Sequence, residues 1–235
     1  MNAARRRPRR RRRHQRRWRL AAGLAVIVAL FAALAWVLLG SSLLDARSVQ
    51  VIGTTELSAD EVRAAAAVPL GGSVLLLDTG EVEARVAAVP RVAAVRVRST
   101  FGGTVRITVT ERSPIAVRSA PDGVHLVDVT GTDYATVAEA PPGLPELGVA
   151  RIGSDDHVTI AAITVLIGLP EPLRSQVLSV TANSPADVVL RLADDREVRW
   201  GGVESADRKA ATLTALLTQP GQIYDISSPD LPTIS

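Results

Sequence analysis

The sequence predicts an α+β protein: a single N-terminal membrane-spanning helix, a β-α-α-β-β unit, then a β-rich domain with two or more helices. Three observations carry this. Residues 1–19 hold eleven arginines and no acid, while residues 20–39 hold no charge at all. Between residues 45 and 112, stretches of period two flank two stretches of helical period. Beyond residue 113, short alternating runs are separated by Gly, Pro, Asn and Asp clusters.

Twenty apolar residues at about 1.5 Å each reach roughly 30 Å, the thickness of a bilayer's hydrocarbon core. Arginine excess on one flank, with the first acid only at Asp45 on the other, sets the orientation. Residues 1–19 are then a basic cytoplasmic tail and residues 20–40 a transmembrane helix. About 190 residues stand outside the plasma membrane, a single-pass type II arrangement, and Trp36 suits an interfacial anchor. Other readings fit less well. A cleaved secretory signal has a shorter apolar core and a small-x-small site, which residues 40–44 match poorly. Arg16-Arg17 before Trp18 resembles a twin-arginine export signal, but any arginine run this long contains such a pair. Arginine also neutralises nucleic-acid phosphates at any sequence. A topology anchor that touches anionic headgroups is the simpler account.

The net charge of +3 averages two opposite parts. Setting the eleven tail arginines apart from the 27 basic residues leaves 16, against 24 acidic ones. The outer portion is acidic, which argues against nucleic acid as its ligand. Without cysteine, disulfides, thiol catalysis and thiolate metal sites are excluded, and the outer portion is held by its core. Lysine occurs once, at Lys209.

The first outer unit, 45–112, opens with a strand over 48–52 that stops at Gly53. Ser58 and Glu61 have capping-box spacing for an alanine-rich helix that stops around Pro69, Gly71 and Gly72. A second helix starts near Asp78 or Thr79, places Val82, Val86 and Val89 on one face, and ends before Pro90. Val95 and Val97 then alternate with Arg96 and Arg98. After Gly102-Gly103, a hairpin signal, Val105, Ile107 and Val109 alternate with Arg106 and Thr108. One sheet face is covered by helices; the other is arginine-rich and is solvated or covered by a partner.

In the second domain, 113–235, strands are expected over 115–118, 124–128, 177–182, 188–192 and 197–200, with a loop at 141–145. A helix begins near Ser154 or Asp155 and runs to Leu169, where Pro170 and Pro172 end it. Another spans about 205–218. A final strand at 222–227 is closed by Pro229 and Pro232.

Catalysis and cofactors find little support. Only His125 and His157 lie outside, no Gly-x-Ser-x-Gly elbow is present, and no histidine pair has ligand spacing. His125 alternates with Val124 and Leu126 toward solvent, and His157 sits exposed at a helix start beside Asp155-Asp156. Trp200 packs on the second core. No small-molecule substrate, metal or cofactor is expected.

Several short motifs, in order, resemble the FtsQ/DivIB family of bacterial division proteins, especially its actinobacterial members. They are the basic tail and span, Ser48–Gly53 with Leu57-Ser58-x-x-Glu61-Val62, and the strand pair over 90–110 leading to Glu111-Arg112-Ser113-Pro114. Trp200-Gly201-Gly202 before Lys209-Ala210-Ala211-Thr212-Leu213, and Ile223-Tyr224-Asp225-Ile226-Ser227, complete the set. The resemblance implies that 45–112 is a POTRA domain and that the protein is no enzyme. It implies a divisome scaffold at the septum that binds FtsB and FtsL outside the membrane. Through them it helps control the septal peptidoglycan synthase FtsW and its penicillin-binding partner. The family's FtsB contact maps onto Tyr224, Asp225, Ile226, Ser227, Ser228, Asp230, Leu231 and Ile234. A strand last in sequence is often a sheet edge open to another strand; a plain terminal strand whose prolines block aggregation is the other reading. Pro229 and Pro232 lack amide donors, so continuous pairing through the tail is impossible. A POTRA-bearing factor for transport or assembly of secreted polypeptides is the alternative function.

Overall fold

Alternation writes the first sheet directly into the chain. In the computed structural model, residues 22–33, 45–100 and 102–235 are described. The expected basic tail, Trp36, the ends of the expected span and the 40–44 stretch lie outside the described residues. Residues 22–33 are helical (α1) and exposed; no helix among the described residues is long and apolar enough to cross a membrane. The chain forms two compact units, one running to Ala87 with Val95–Val109, the other Ala88–Ala94 with Thr110–Ser235.

The first unit contains β1 (Ser48–Ile52), α2 (Ala59–Ala66), α3 (Thr79–Ala87) and most of β2 (Val92–Thr100) and β3 (Thr104–Glu111), whose end residues Val92–Ala94 and Thr110–Glu111 fall in the second unit. Its sheet has the order β1-β3-β2, with β1 parallel to β3. Val105, Ile107 and Val109 of β3 are buried, as are Val62 and Ala66 of α2 and Val82 and Val86 of α3. Ser58 caps α2 by accepting the Glu61 N–H at 3.1 Å. The helix stops at Ala66, short of the expected Pro69, because Ala67 enters the left-handed region at φ +46°. Arg85 closes that end, donating Nε and Nη2 to the Ala66 carbonyl at 3.1 and 2.8 Å. The expected Val89 face position is not realised: α3 ends at Ala87, and Val89 is only half-buried.

Each sheet edge takes one bond from a helix side chain. Glu83 accepts the Val97 N–H of β2 at 2.7 Å, and Arg63 donates to the Val49 carbonyl of β1 at 3.3 Å. The other face exposes Arg96, Arg98 and Arg106, the last donating to Gln50 at 3.1 Å.

The second unit comprises β4 (Pro114–Ala120), β5 (Gly123–Asp128), β6 (Asp133–Val137), β7 (Glu146–Gly148), α4 (His157–Gly168), α5 (Glu171–Arg174) and β8 (Val177–Ser184). It continues with β9 (Asp187–Leu192), β10 (Glu197–Gly201), α6 (Ala206–Leu216), β11 (Ile223–Asp225) and β12 (Thr233–Ile234). Its strands make one sheet, β12-β11-β10-β9-β8-β7-β4-β5-β6. The helix α4 lies on β8, β9 and β4 and buries Ala161, Ala162, Ile163, Val165 and Leu166. Its cap is Asp156 rather than Ser154 or Asp155. The Asp156 carboxylate accepts the Thr159 N–H at 2.8 Å, while the Thr159 hydroxyl donates to the Arg151 carbonyl at 2.7 Å. Pro172 does not end a helix but opens the single turn of α5, at a position where its missing N–H has no partner to lose.

Asp128, almost fully buried at the end of β5, organises its corner. It accepts the Thr130 and Thr132 N–H groups at 2.9 and 3.0 Å and the Thr130 hydroxyl at 2.6 Å. It also pairs with Arg112, whose Nε donates to the Pro90 carbonyl at 3.0 Å. Burial pushes the Asp128 carboxyl up, but the bonds from Thr130, Arg112 and the two amides outweigh it and hold it below its ordinary value. This contribution is present above the unfolded carboxylate range and lost as pH falls through the folded value. Asp128→Ala is expected to lower unfolding free energy by about 2–4 kcal/mol, since it strands the Arg112 charge and two amides. Chemical denaturation of wild type and variant at neutral pH checks this, and the gap is expected to narrow in acid.

Candidate partner-binding surface

Lysine at a fully buried position is rare unless every donor is engaged. Lys209, one turn into α6, is 2 % exposed. Its ammonium donates to the carbonyls of Trp200 at 2.9 Å and Gly202 at 2.8 Å, and lies 5.9 Å from the Trp200 ring centroid. Burial holds its pKa below the ordinary value, opposed by the Glu204 charge. The two carbonyls flank Gly201, where β10 leaves regular pairing with β9 and φ reaches +73°. Pairing with β9 shifts register between Arg199 and Gly201, and the ammonium bonds the carbonyls on either side of the irregularity. Trp200 itself is wholly buried, as expected, and its indole N–H meets no acceptor among the described residues.

Gly201 also lets the next strand approach. A Cβ at this position would stand 2.9 Å from the Ser227 Cβ, closer than side chains tolerate. Beside it, β11 runs parallel to β10, pairing Val198 with Tyr224 and Arg199 with Asp225. The Ile226 N–H extends the ladder to the Arg199 carbonyl at 3.0 Å. Tyr224 and Ile226 are fully buried. The Tyr224 hydroxyl donates to the Gln219 carbonyl at 2.7 Å, and the Arg196 guanidinium lies 5.8 Å from the Tyr224 ring centroid. Asp225 accepts the Ser227 hydroxyl at 2.6 Å and N–H at 3.0 Å. The Ser227 bond, chiefly, holds the Asp225 carboxyl below its ordinary value.

The strand expected to be the sheet edge is therefore an inner one. After Asp225 the chain reverses through Ser227, Ser228, Pro229, Asp230 and Leu231 and returns as β12, which pairs antiparallel with β11 and ends the sheet. The reversal consumes the prolines where no ladder amide is needed. Ile223 and Ser235 exchange both backbone bonds, at 2.9 and 3.0 Å. The alternation of antiparallel pairing then makes Tyr224–Ile234 the non-hydrogen-bonded pair, so the Ile234 N–H and C=O project outward from the sheet. Ile234 is half-buried and packs on the core. Ser227, Ser228, Asp230 and Leu231 are exposed, Leu231 to 80 %, and Asp230 pairs with Arg208 of α6. The eight expected residues thus divide. Tyr224 and Ile226 anchor from beneath, Asp225 shapes the reversal, and Ser227, Ser228, Asp230, Leu231 and Ile234 form the accessible rim. Thr233, not singled out in the sequence, shares that rim.

Residues 44–112 match the family model described as POTRA domain, FtsQ-type, and residues 116–231 match Cell division protein FtsQ/DivIB, C-terminal. The chain is 41 % identical over 212 residues to the cell division protein FtsQ of Mycobacteroides abscessus, covering 90 % of this chain and 68 % of the relative. The chain belongs to the FtsQ/DivIB family. It is also 43 % identical over 210 residues to the FtsQ of Mycolicibacterium smegmatis and 44 % identical over 191 residues to that of Mycobacterium leprae. These alignments cover 89 % and 81 % of this chain but 63 % and 56 % of those relatives, so it spans less than two thirds of their length.

A second polar cluster lies on β5. His125, expected on a solvent face, is shielded to 19 % side-chain exposure between two carboxylates. Its Nδ1 lies 2.6 Å from Asp133 and its Nε2 3.1 Å from Asp122. The sequence hid this because Asp133 arrives on β6, a strand its short run did not reveal. His157 is exposed, as expected.

Bonds from Asp122, then Asp133, raise the His125 pKa from 6.5. A histidine raised this way stabilises the fold fully below its unfolded value, and the gain is lost as pH rises through the folded one. An NMR titration is expected to place His125 above 6.5, and Asp133→Asn to move it back down. Lys209→Met retains length but leaves two interior carbonyls unpaired, so it is expected to destabilise this unit by about 2–4 kcal/mol in denaturant melts.

Proposed function

We propose that this chain is a non-enzymatic divisome scaffold that binds FtsB- and FtsL-type proteins outside the plasma membrane by adding a partner strand to β12. In this reading residues 1–19 are a cytoplasmic tail and 20–40 a single span. Residues 45–112 are the POTRA domain, and 113–235 the β domain that carries the binding strand. Binding at the septum then helps regulate peptidoglycan synthesis by FtsW and its penicillin-binding partner. No nucleic acid, small-molecule substrate, cofactor or catalytic residue enters the account.

The observation that supports it most is the outward pair of backbone groups at Ile234 on the last strand of the second sheet. Strand addition takes its affinity from such groups and its register from neighbouring side chains. Exposed Leu231 beside the Asp230–Arg208 pair offers an apolar contact with a charged flank. In the first sheet, side chains of the helices already bond one backbone group on each edge, at Val49 and Val97. A factor handling secreted polypeptides would use edge pairing too, but its capture would tolerate many sequences.

Ile234→Pro removes the outward donor while leaving the β11 bonds of Ser235 and Thr233 in place. It is expected to weaken capture of an FtsB-type ectodomain by at least about tenfold, with the thermal melt lowered by the lost Ile234 packing but the fold kept. Leu231→Asp is expected to weaken capture with no change in fold. Undiminished capture by both folded variants would remove β12 as the contact.

A further inference from the structure

Residues 64–77 form a run of fourteen without a charged side chain, and most of it is the connection between α2 and α3. A connection on the surface ordinarily turns its apolar side chains inward or has few of them. Here Val74 turns inward, whereas Leu70, Leu75 and Leu76 are 63, 56 and 78 % exposed. One exposed leucine is ordinary; three within seven residues of a single connection make a patch that implies an occupant.

The backbone fixes where this patch sits. Asp45 bridges antiparallel to Ser73. The Ala46 N–H donates to the Gly72 carbonyl at 2.7 Å, and the Gly71 N–H donates to the Ala46 carbonyl at 2.9 Å. The leucine-bearing connection is therefore laid against the chain where it enters the first unit. Asp45 follows the last residue of the uncharged apolar run, Leu39, by six positions. Six residues span at most about 20 Å, even fully extended. The intervening residues, Gly-Ser-Ser-Leu-Leu, are themselves uncharged. A patch tethered this closely to a membrane segment faces the headgroup layer before it meets any soluble partner.

We propose that Leu70, Leu75 and Leu76 insert into the bilayer interface, making the α2–α3 connection a second, reversible membrane contact beside the span. This rests on the membrane-anchored reading above. The occupant is lipid, because the leucines project from an uncharged run, and the ionised groups that border it, Asp45, Asp78, Glu81 and Arg85, can stay at headgroup level while the leucines insert. Two attachment points limit the swivelling of the first unit about its tether, holding its arginine-lined sheet face in a defined orientation.

The absence of native cysteine makes single-site labelling free of background. The full chain would be reconstituted in phosphatidylcholine–phosphatidylglycerol vesicles with a polarity-sensitive fluorophore on Leu76→Cys, Leu30→Cys or Thr108→Cys, and quenched by headgroup-level nitroxide lipid. Thr108 is the control, since it pairs with Ile52, roughly 20 Å along the strand from Asp45. Quenching at position 76 is expected to exceed that at position 108 by at least about twofold. Equal quenching at 76 and 108, with position 30 strongly quenched by a deep nitroxide, would overturn the loop contact and spare the anchored reading. An unquenched position 30 would overturn both. Shielding of position 76 that appears only after an FtsB-type protein is added would reassign the patch to protein.

Discussion

The β domain turns on one ammonium group. Lys209 reaches from α6 to two carbonyls that flank an irregularity in the β10–β9 pairing. Leaving both unpaired in the interior would cost several kcal/mol, comparable to a large share of a domain's net stability. The bond also fixes the position of α6 against β10, and with it the glycine at which β11 closes in. Arginine could not replace it simply, because a planar fork fits two diverging carbonyls around a turn less readily than a compact, rotatable ammonium.

From that contact the outer part of the sheet follows. Gly201 admits Ser227, the Arg199 carbonyl receives Ile226, and Tyr224 and Ile226 seal the core beneath. The glycine at 221 matters at the next step, since a Cβ there would overlap the Ile234 side chain. Thus β12, only two residues long, depends on β11 for its hydrogen bonds and on Gly221 for its side-chain space. A short terminal strand held this way keeps an outward edge without a long flat surface prone to aggregation.

How legible this was in the sequence differs by element. Clean alternation with arginine and threonine on the open face revealed β1 and β3, and the Ser58 cap revealed α2. The three residues of β7 and two of β12 are too short for any periodicity, and β6 mixes acid, aromatic and small residues. The last strand could be placed but not its neighbour, because nothing local states that the chain doubles back after Pro229 and Asp230. That reversal makes β11 an inner strand, and its Tyr224 and Ile226 are buried in the core. Lys209 was visible as a lone lysine in an arginine-rich chain and as part of a motif after Trp200-Gly201-Gly202, but its bonds became apparent only when α6 was seen against β10. His125 likewise needed Asp133, which lies across a strand pair.

The first unit has side chains on both sheet edges and bare leucines at its entry point; the second has a structured core and an outward terminal strand. In the proposed reading, recognition occurs by pairing at β12. Backbone hydrogen exchange, resolved by NMR with and without an FtsB-type ectodomain, tests it most directly. The account predicts that the Ile234 amide gains protection on binding while the amides of Tyr224 and Ile226, already bonded within the sheet, change little. An Ile234 amide that exchanges equally fast in free and bound states, with new protection elsewhere, would contradict it.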